Sequence, residues 1–128
     1  MRAVLGVVAS LLAMPAWVNG AWRVTLETPV EVVAIDLSSF QRSDVLVSFR
    51  VRHTLRGGQI DPHSLRPVRE VLARRVADCG SHRIATLSRA VFSDSDALID
   101  HQATRLQQAV WQPLAPDDPL FRQVCGRS

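Results

Sequence analysis

An α+β fold, with an antiparallel sheet of about five or six strands and a short C-terminal α-helix, is what the sequence predicts. Three observations lead to it. Apolar and polar residues alternate in the first half of the chain, prolines break the C-terminal part, and the two cysteines, Cys79 and Cys125, lie far apart. The length of 128 residues allows one domain with one modest core.

The N-terminal segment has the three parts of a secretory signal peptide. Arg2 is basic, residues 3–14 form an apolar run, and Val18 and Gly20 are small enough for the recognition pockets of a signal peptidase. Cleavage is predicted before Ala21, with cleavage one residue later as an alternative.

The chain therefore divides into a signal peptide at residues 1–20 and a single exported domain at residues 21–128. An uncleaved N-terminal anchor is the alternative, although the apolar run is shorter than the ~20 residues that a membrane span needs. No later segment of the sequence is apolar enough to span a membrane. Export would place the domain in the periplasm, at the cell surface or outside the cell.

Cys79 and Cys125 are most simply joined as one disulfide, because export leads to an oxidising compartment. Two buried thiols are the alternative. A catalytic thiol is less favoured, because neither cysteine lies in a C-x-x-C pair or beside a clear histidine partner.

The clearest strand patterns lie in the first half of the domain. Ala21–Leu26 is a short candidate strand, and Val30–Leu37 is rich in β-branched residues. From Val45 to Arg52, one side of the predicted strand is apolar and the other is largely cationic, which is typical of a half-buried antiparallel strand. Glycine and proline then predict a loop over residues 56–63.

The segment Ser64–Asp78 fits two structures. Its apolar residues recur at helical spacing, Ser64 can cap a helix, and Pro67 fits the first turn. The same residues could form a long irregular strand. Periodicity alone favours the helix.

The C-terminal part begins with a predicted strand at Arg83–Ser93, a polar turn at residues 94–100 and a last strand at Leu106–Trp111. Prolines then break the chain before a short helix, in which Asp117 is the predicted cap and Pro119 lies near the first turn. The second cysteine falls at the end of this helix, so a disulfide would attach the helix to the sheet.

Signatures of catalysis and cofactor binding are absent from the sequence, which contains no G-x-S-x-G, H-E-x-x-H, G-x-G-x-x-G or Walker A pattern. A run of acidic residues from Asp94 to Asp100 lacks the ligand and glycine spacing of a calcium loop and predicts a solvated turn. We expect a protein that is not an enzyme and holds no cofactor or metal. The histidines lie at spacings that no metal motif uses: His53, His63, His82 and His101.

Positive charge is concentrated in the middle of the chain, and all fifteen basic residues are arginine. From Arg42 to Arg89 there are ten arginines and four acidic residues, a net charge of +6. The planar guanidinium pairs well with carboxylate, sulfate and phosphate. A cationic sheet face is therefore a candidate site for an anionic partner, and its candidate residues are Arg50, Arg52, Arg74 and Arg83.

The simpler alternative is that these arginines form the solvated side of amphipathic strands. An acidic protein or a polyanion is the partner expected of a functional face. Nucleic acid is not expected, because the chain is exported and has only 5% aromatic residues for base stacking.

Short motifs are spread over most of the predicted domain: Ile35–Phe40, Ser64, Asp78-Cys79 followed by Arg83, and Trp111–Leu114 leading to Val124-Cys125. In this combination the chain resembles the surface-adhesin protein E family of exported bacterial domains. The resemblance implies an antiparallel sheet, a C-terminal helix and a disulfide between the two cysteines. It also implies that residues 64–78 are largely a strand, against the periodicity.

In function, the resemblance implies non-enzymatic adhesion to extracellular host proteins. We therefore expect an exported binding domain. The sequence is also compatible with a homodimer. The alternative is a periplasmic accessory protein of the cell envelope without a host partner. The matching residues are implied to be structural, at the disulfide, in packing, or at turns and strand ends: Cys79, Cys125, Trp111, Pro113, Asp36, Ser64 and Asp78.

Overall fold

The computed structural model describes residues 20–126. An antiparallel sheet forms most of it, and its strands follow one another across the sheet in chain order. The predicted signal peptide lies outside the described residues, apart from Gly20. The main strands are β1 (Trp22–Glu27), β2 (Glu31–Ser43), β3 (Leu46–Leu55), β4 (Val68–Asp78), β5 (Arg83–Ser93) and β6 (Leu98–Ala103).

The C-terminal segment returns to the sheet and crosses one of its faces. After a single 3₁₀ turn at Leu106–Gln108, the two-residue strand β7 (Gln112–Pro113) pairs with the start of β5. The chain then enters helix α1 (Pro119–Cys125). Among residues 20–126, no helix is both long and apolar enough to cross a membrane.

The core lies between α1 and one face of the sheet. Val47, Phe49 and Val51 alternate along β3, and all three are buried. They pack with Leu114 and Val124 of the C-terminal segment. Because successive side chains of a strand point to opposite faces, the intervening residues of β3 lie on the face away from the helix. We call this the open face, and its β3 residues include Ser48, Arg50 and Arg52.

A disulfide between Cys79 and Cys125 joins the end of β4 to the end of α1, with 5.6 Å between the two Cα atoms. The predicted α+β fold is therefore confirmed in its antiparallel sheet, its short C-terminal helix and its disulfide.

The helix that periodicity favours at Ser64–Asp78 is wrong, because this segment contains strand β4. Strand β4 pairs with β3 on one side and β5 on the other, and its apolar residues point to both faces of the sheet. Val71 and Ala73 lie on the helix side, whereas Leu72 and Val76 lie on the open face. Apolar residues on both faces remove the simple alternation that identifies a strand.

Two further predictions for the C-terminal part are wrong. Leu106–Trp111 is not a strand, and the strand next to β5 is instead β6, which begins inside the predicted polar turn. This edge strand is polar, with Asp100 and His101 at its centre, so its sequence resembles a loop. The cap of α1 is Asp118 rather than Asp117, since Asp118 Oδ1 accepts a hydrogen bond of 2.8 Å from the Leu120 N–H.

Candidate binding surface

Three of the predicted arginines come together on the open face. In the pairing of β3 with β4, Arg50 lies directly opposite Arg74. Arg52 follows two residues after Arg50 and so points to the same face. The Asp36 carboxylate offsets the charge of Arg50, so Arg52 and Arg74 supply the net positive charge that would attract an anion to this part of the face. We call these three residues the arginine cluster.

Trp22 of β1 lies against the arginine cluster. The Arg52 guanidinium carbon is 4.4 Å from the centroid of the Trp22 ring, and that of Arg50 is 5.4 Å from it. Register explains the approach, because Trp22 is opposite Asp36 and Asp36 is opposite Arg50. Cation–π stacking of this kind holds a guanidinium in one orientation. Nothing in the sequence alone indicates Trp22, since only the strand pairing brings it near these arginines.

Asp36 anchors the cluster from within the sheet. It is fully buried, and its Oδ2 accepts hydrogen bonds from Nε and Nη2 of Arg50, the former at 3.1 Å. Its Oδ1 accepts hydrogen bonds from the Ser38 hydroxyl at 2.6 Å and from the Ser38 N–H at 3.0 Å. Burial by itself would raise the pKa of Asp36, but these hydrogen bonds outweigh it and hold the pKa below the ordinary value of an aspartate. The carboxylate therefore stays ionised and keeps Arg50 in place.

An apolar floor runs along the open face beside the cluster. A hollow of about 170 Å³ reaches from Arg50 and Arg74 to Leu72 and Ala90. Leu72 also borders a second hollow of about 500 Å³, whose lining adds Phe92 and the two acidic residues Glu70 and Asp96. Along this part of the open face, the side chains change from cationic at Arg50 and Arg74, through apolar at Leu72, to acidic at Glu70 and Asp96.

Arg83 lies apart from the arginine cluster, at the turn between β4 and β5. Its Nε is 3.3 Å from Asp78 Oδ2, and its guanidinium carbon is 4.3 Å from the centroid of the Trp111 ring. Pro113 of β7 lies opposite it in the sheet. The charge of Arg83 is thus offset by Asp78, and this group ties the C-terminal segment to the sheet.

Ser64 lies in the loop before β4, where its N–H donates a hydrogen bond of 2.8 Å to Asp61 Oδ2. One possible metal-ligand atom from each of Asp61, His63 and Asp100 lies within 4.8 Å of the other two. Among the described residues, these three side chains form the group that could share a metal ion. Arg89 Nη1 is 4.0 Å from Asp100 Oδ2 and offsets part of that charge. The sequence did not reveal the group, because its members come from different elements.

Acid should destabilise the domain through its buried carboxylates. The pKa of Asp78 is lowered from its ordinary value, chiefly because the Ser81 N–H donates to the carboxylate, with further help from Arg83 and the Gly80 N–H. An unfolded chain, with ordinary pKa values, takes up these protons first as the pH falls. Stability should therefore be full above about pH 5 and fall as the pH drops through 4 and below. Urea midpoints between pH 6 and 2.5 measure this loss.

The Asp78→Asn variant is the matched test of this prediction. It should lose less stability than the natural chain over the same drop in pH, because one of the titrating carboxylates is gone. A midpoint that stays constant or rises in acid would contradict the assignment.

A family model described as surface-adhesin protein E matches residues 22–126. The chain belongs to the surface-adhesin protein E family. The family predicted from short motifs is thus confirmed, and members of this family are adhesin-type proteins. No curated protein sequence matches the chain.

Solved structures of protein E from Haemophilus influenzae share the fold of this family member. One, of crystal form II, has a TM-score of 0.55 at 18% identity and covers 82% of this chain and 87% of its own. A second has a TM-score of 0.53 at 20% identity and covers 88% of this chain and 87% of its own. At such identities the likeness concerns the fold alone.

Proposed function

We propose that this chain is an exported adhesion domain that binds an acidic segment of an extracellular protein on its open face. The observation that carries the proposal is the placement of Arg50 directly opposite Arg74, beside Arg52 stacked on Trp22. Tryptophan and arginine are among the residue types most enriched where binding energy is concentrated. Family membership supports the adhesive role.

A protein segment fits the open face better than a uniform polyanion does. The apolar floor of Leu72 and Phe92 offers contacts for aliphatic or aromatic side chains. Glu70 and Asp96 at the far end would repel a partner that is anionic along its whole length. A segment with carboxylates at one end and apolar residues beyond them could pair with the arginine cluster and pack on the apolar floor. It would bring no negative charge to Glu70 and Asp96.

The arginine cluster is arranged in advance of binding. Asp36 fixes Arg50, and Trp22 fixes Arg52, so little side-chain freedom remains to be lost when a carboxylate arrives. Arg74 lies across from Arg50, and the same hollow contains both. Bidentate pairing of Arg74 with a carboxylate would place the partner's acidic group beside Arg50 and Arg52, over β3 and β4.

Charge reversal in the cluster tests the proposal. The double variant Arg52→Glu, Arg74→Glu should bind extracellular matrix proteins at least about tenfold more weakly, because each reversal replaces attraction with repulsion. Arg50 is left intact, since it neutralises Asp36. Surface plasmon resonance at two salt concentrations measures the affinity, and binding by the natural chain should weaken at high salt.

The matched control is Arg23→Glu, Arg105→Glu, which changes the net charge equally at two exposed arginines outside the cluster. It should bind like the natural chain. Equal losses in both double variants would mean that overall charge, and not the open face, governs binding. Binding to heparin with none to any protein of the panel would replace the acidic segment with a polyanion.

Display at the cell surface belongs to the same proposal. Trypsin added to intact cells should digest the domain at its arginines. Protection in intact cells, followed by digestion once the outer membrane is permeabilised, would place the domain in the periplasm and favour the envelope-accessory role instead.

A further inference from the structure

The backbone nitrogen of Ala21 is directed at the buried Asp36 carboxylate. Ala21 N lies 3.0 Å from Asp36 Oδ1, on the oxygen that Ser38 also contacts. The Ala21 carbonyl oxygen accepts a hydrogen bond of 2.9 Å from the Leu37 N–H. The polar backbone atoms of Ala21 are thus both engaged by β2, which fixes the position of this nitrogen. Ala21 is also the residue at which the sequence predicts the mature chain to begin.

Residue 20 lies close against the same carboxylate. A Cβ atom at Gly20 would come within 2.7 Å of Asp36 Oδ2 and 2.9 Å of Trp22 Nε1, so a side chain at position 20 would collide with both. Among the described residues, Trp22 Nε1 is buried and has no hydrogen-bond partner. Removal of residue 20 would open the space beside this indole N–H to water, which could accept its hydrogen bond.

From this placement we infer that Asp36 is the binding site for the α-ammonium group of Ala21. Removal of the predicted signal peptide, called processing below, creates that group. Water hydrolyses the Gly20–Ala21 peptide bond; the leaving segment ends in the Gly20 carboxylate, and the Ala21 amine is protonated at neutral pH. The hydrogen bond from an amide N–H to Asp36 Oδ1 then becomes one from a cation to a carboxylate, and charge-assisted hydrogen bonds are about twice as strong.

Two cations would then share one buried carboxylate. Arg50 occupies Oδ2 of Asp36, and the ammonium group of Ala21 occupies Oδ1 together with Ser38. The ion pair would fasten Ala21, the residue just before β1, to β2, and with it the Trp22 ring on which Arg52 stacks. Processing would thus be a step of folding as well as of export. The inference requires processing before Ala21 but does not depend on any binding partner.

The absence of lysine from the sequence makes the test selective, because the α-amine is then the single amine of the processed chain. The full-length chain is expressed with its own leader, and the exported protein is purified and sequenced from its N-terminus. A start at Ala21 is expected. Part of the sample is then acetylated with acetic anhydride, and mass spectrometry confirms a single acetyl group.

Acetylation removes the charge and keeps an N–H at the same position. The unfolding constant of the acetylated chain, measured by urea denaturation at pH 7, should be about fivefold larger than that of the unmodified chain. In an Asp36→Asn background, acetylation should have no effect, because the charged acceptor is gone. In an Asp78→Asn background, which removes a different buried carboxylate, the fivefold effect should persist.

An exported protein that starts at any other residue overturns the inference. So does an acetylated chain that unfolds at the same urea concentration as the unmodified one. If Asp36→Asn does not fold, the comparison of the two forms of the natural chain still decides. None of these measurements involves a binding partner, so a failure here is distinct from a failure of the proposed adhesive role.

Discussion

Replacing both cysteines, Cys79→Ala with Cys125→Ala, should lower the free energy of unfolding by about 4 kcal/mol. The disulfide closes a loop between residues 46 positions apart, and that constraint on the unfolded chain is lost. Helix α1 has only seven residues and would be marginal without its attachment. Since domains of this kind have about 5–15 kcal/mol in total, much of the stability depends on this bond.

Urea denaturation of the oxidised natural chain and of the double variant measures the difference. Each single variant should match the double variant, because either change removes the whole cross-link. Dithiothreitol should destabilise the natural chain and leave the double variant unchanged, which is the internal control. A loss below about 1 kcal/mol would mean that the helix is held by its packing alone.

Truncation of the central core residue, Phe49→Ala, should cost about 3–5 kcal/mol. Phe49 is completely buried, and it belongs to the cluster that joins the sheet to Val124 of α1. Its ring meets that of Phe40 edge to face, with 5.8 Å between the ring centroids. The variant would lose both the transfer energy of the ring and the contacts around the resulting cavity.

Phe92→Ala is the matched control for this truncation, because Phe92 is only half-buried and lies on the open face. It should cost about 1 kcal/mol. Urea midpoints and near-ultraviolet circular dichroism, recorded with the disulfide intact, compare the two variants. Equal losses would show that the apolar floor of the open face contributes to stability as much as the core under the helix does.

The elements that the sequence predicts best have one buried face and one exposed face. Strand β3 has a buried side carrying Val47 and Phe49 and a more polar side carrying Ser48 and Arg50, so its alternation is plain. Pro119 indicates where the terminal helix begins. Two adjacent acidic residues precede it, so the sequence leaves the cap ambiguous between Asp117 and Asp118.

Elements with a uniform environment are predicted poorly. In β4, apolar side chains lie on both faces because the strand is central in the sheet. The spacing of Val68, Val71 and Leu72 resembles that of a helix only by chance. Strand β6 is a polar edge strand, so it carries almost no strand signal. The family resemblance identified β4 correctly where periodicity did not.

The candidate surface could be predicted only in part. Charge counting selected Arg50, Arg52 and Arg74, which the fold brings together, but it also selected Arg83, whose charge Asp78 offsets. Trp22 escaped notice because its contact with Arg52 depends on the register of three strands. Register is a long-range property, and a one-residue shift would have moved Trp22 to the other side of the sheet.

The order of the strands has a consequence for how the domain folds as its chain emerges from the N-terminus onward. Every main strand pairs with its neighbour in sequence, so each hairpin can close as soon as its second strand has emerged. The cross-link to Cys79 must wait until Cys125 emerges, when the whole sheet is already available. The topology thus lets the sheet assemble progressively and delays oxidation to the end, when the helix has reached its place.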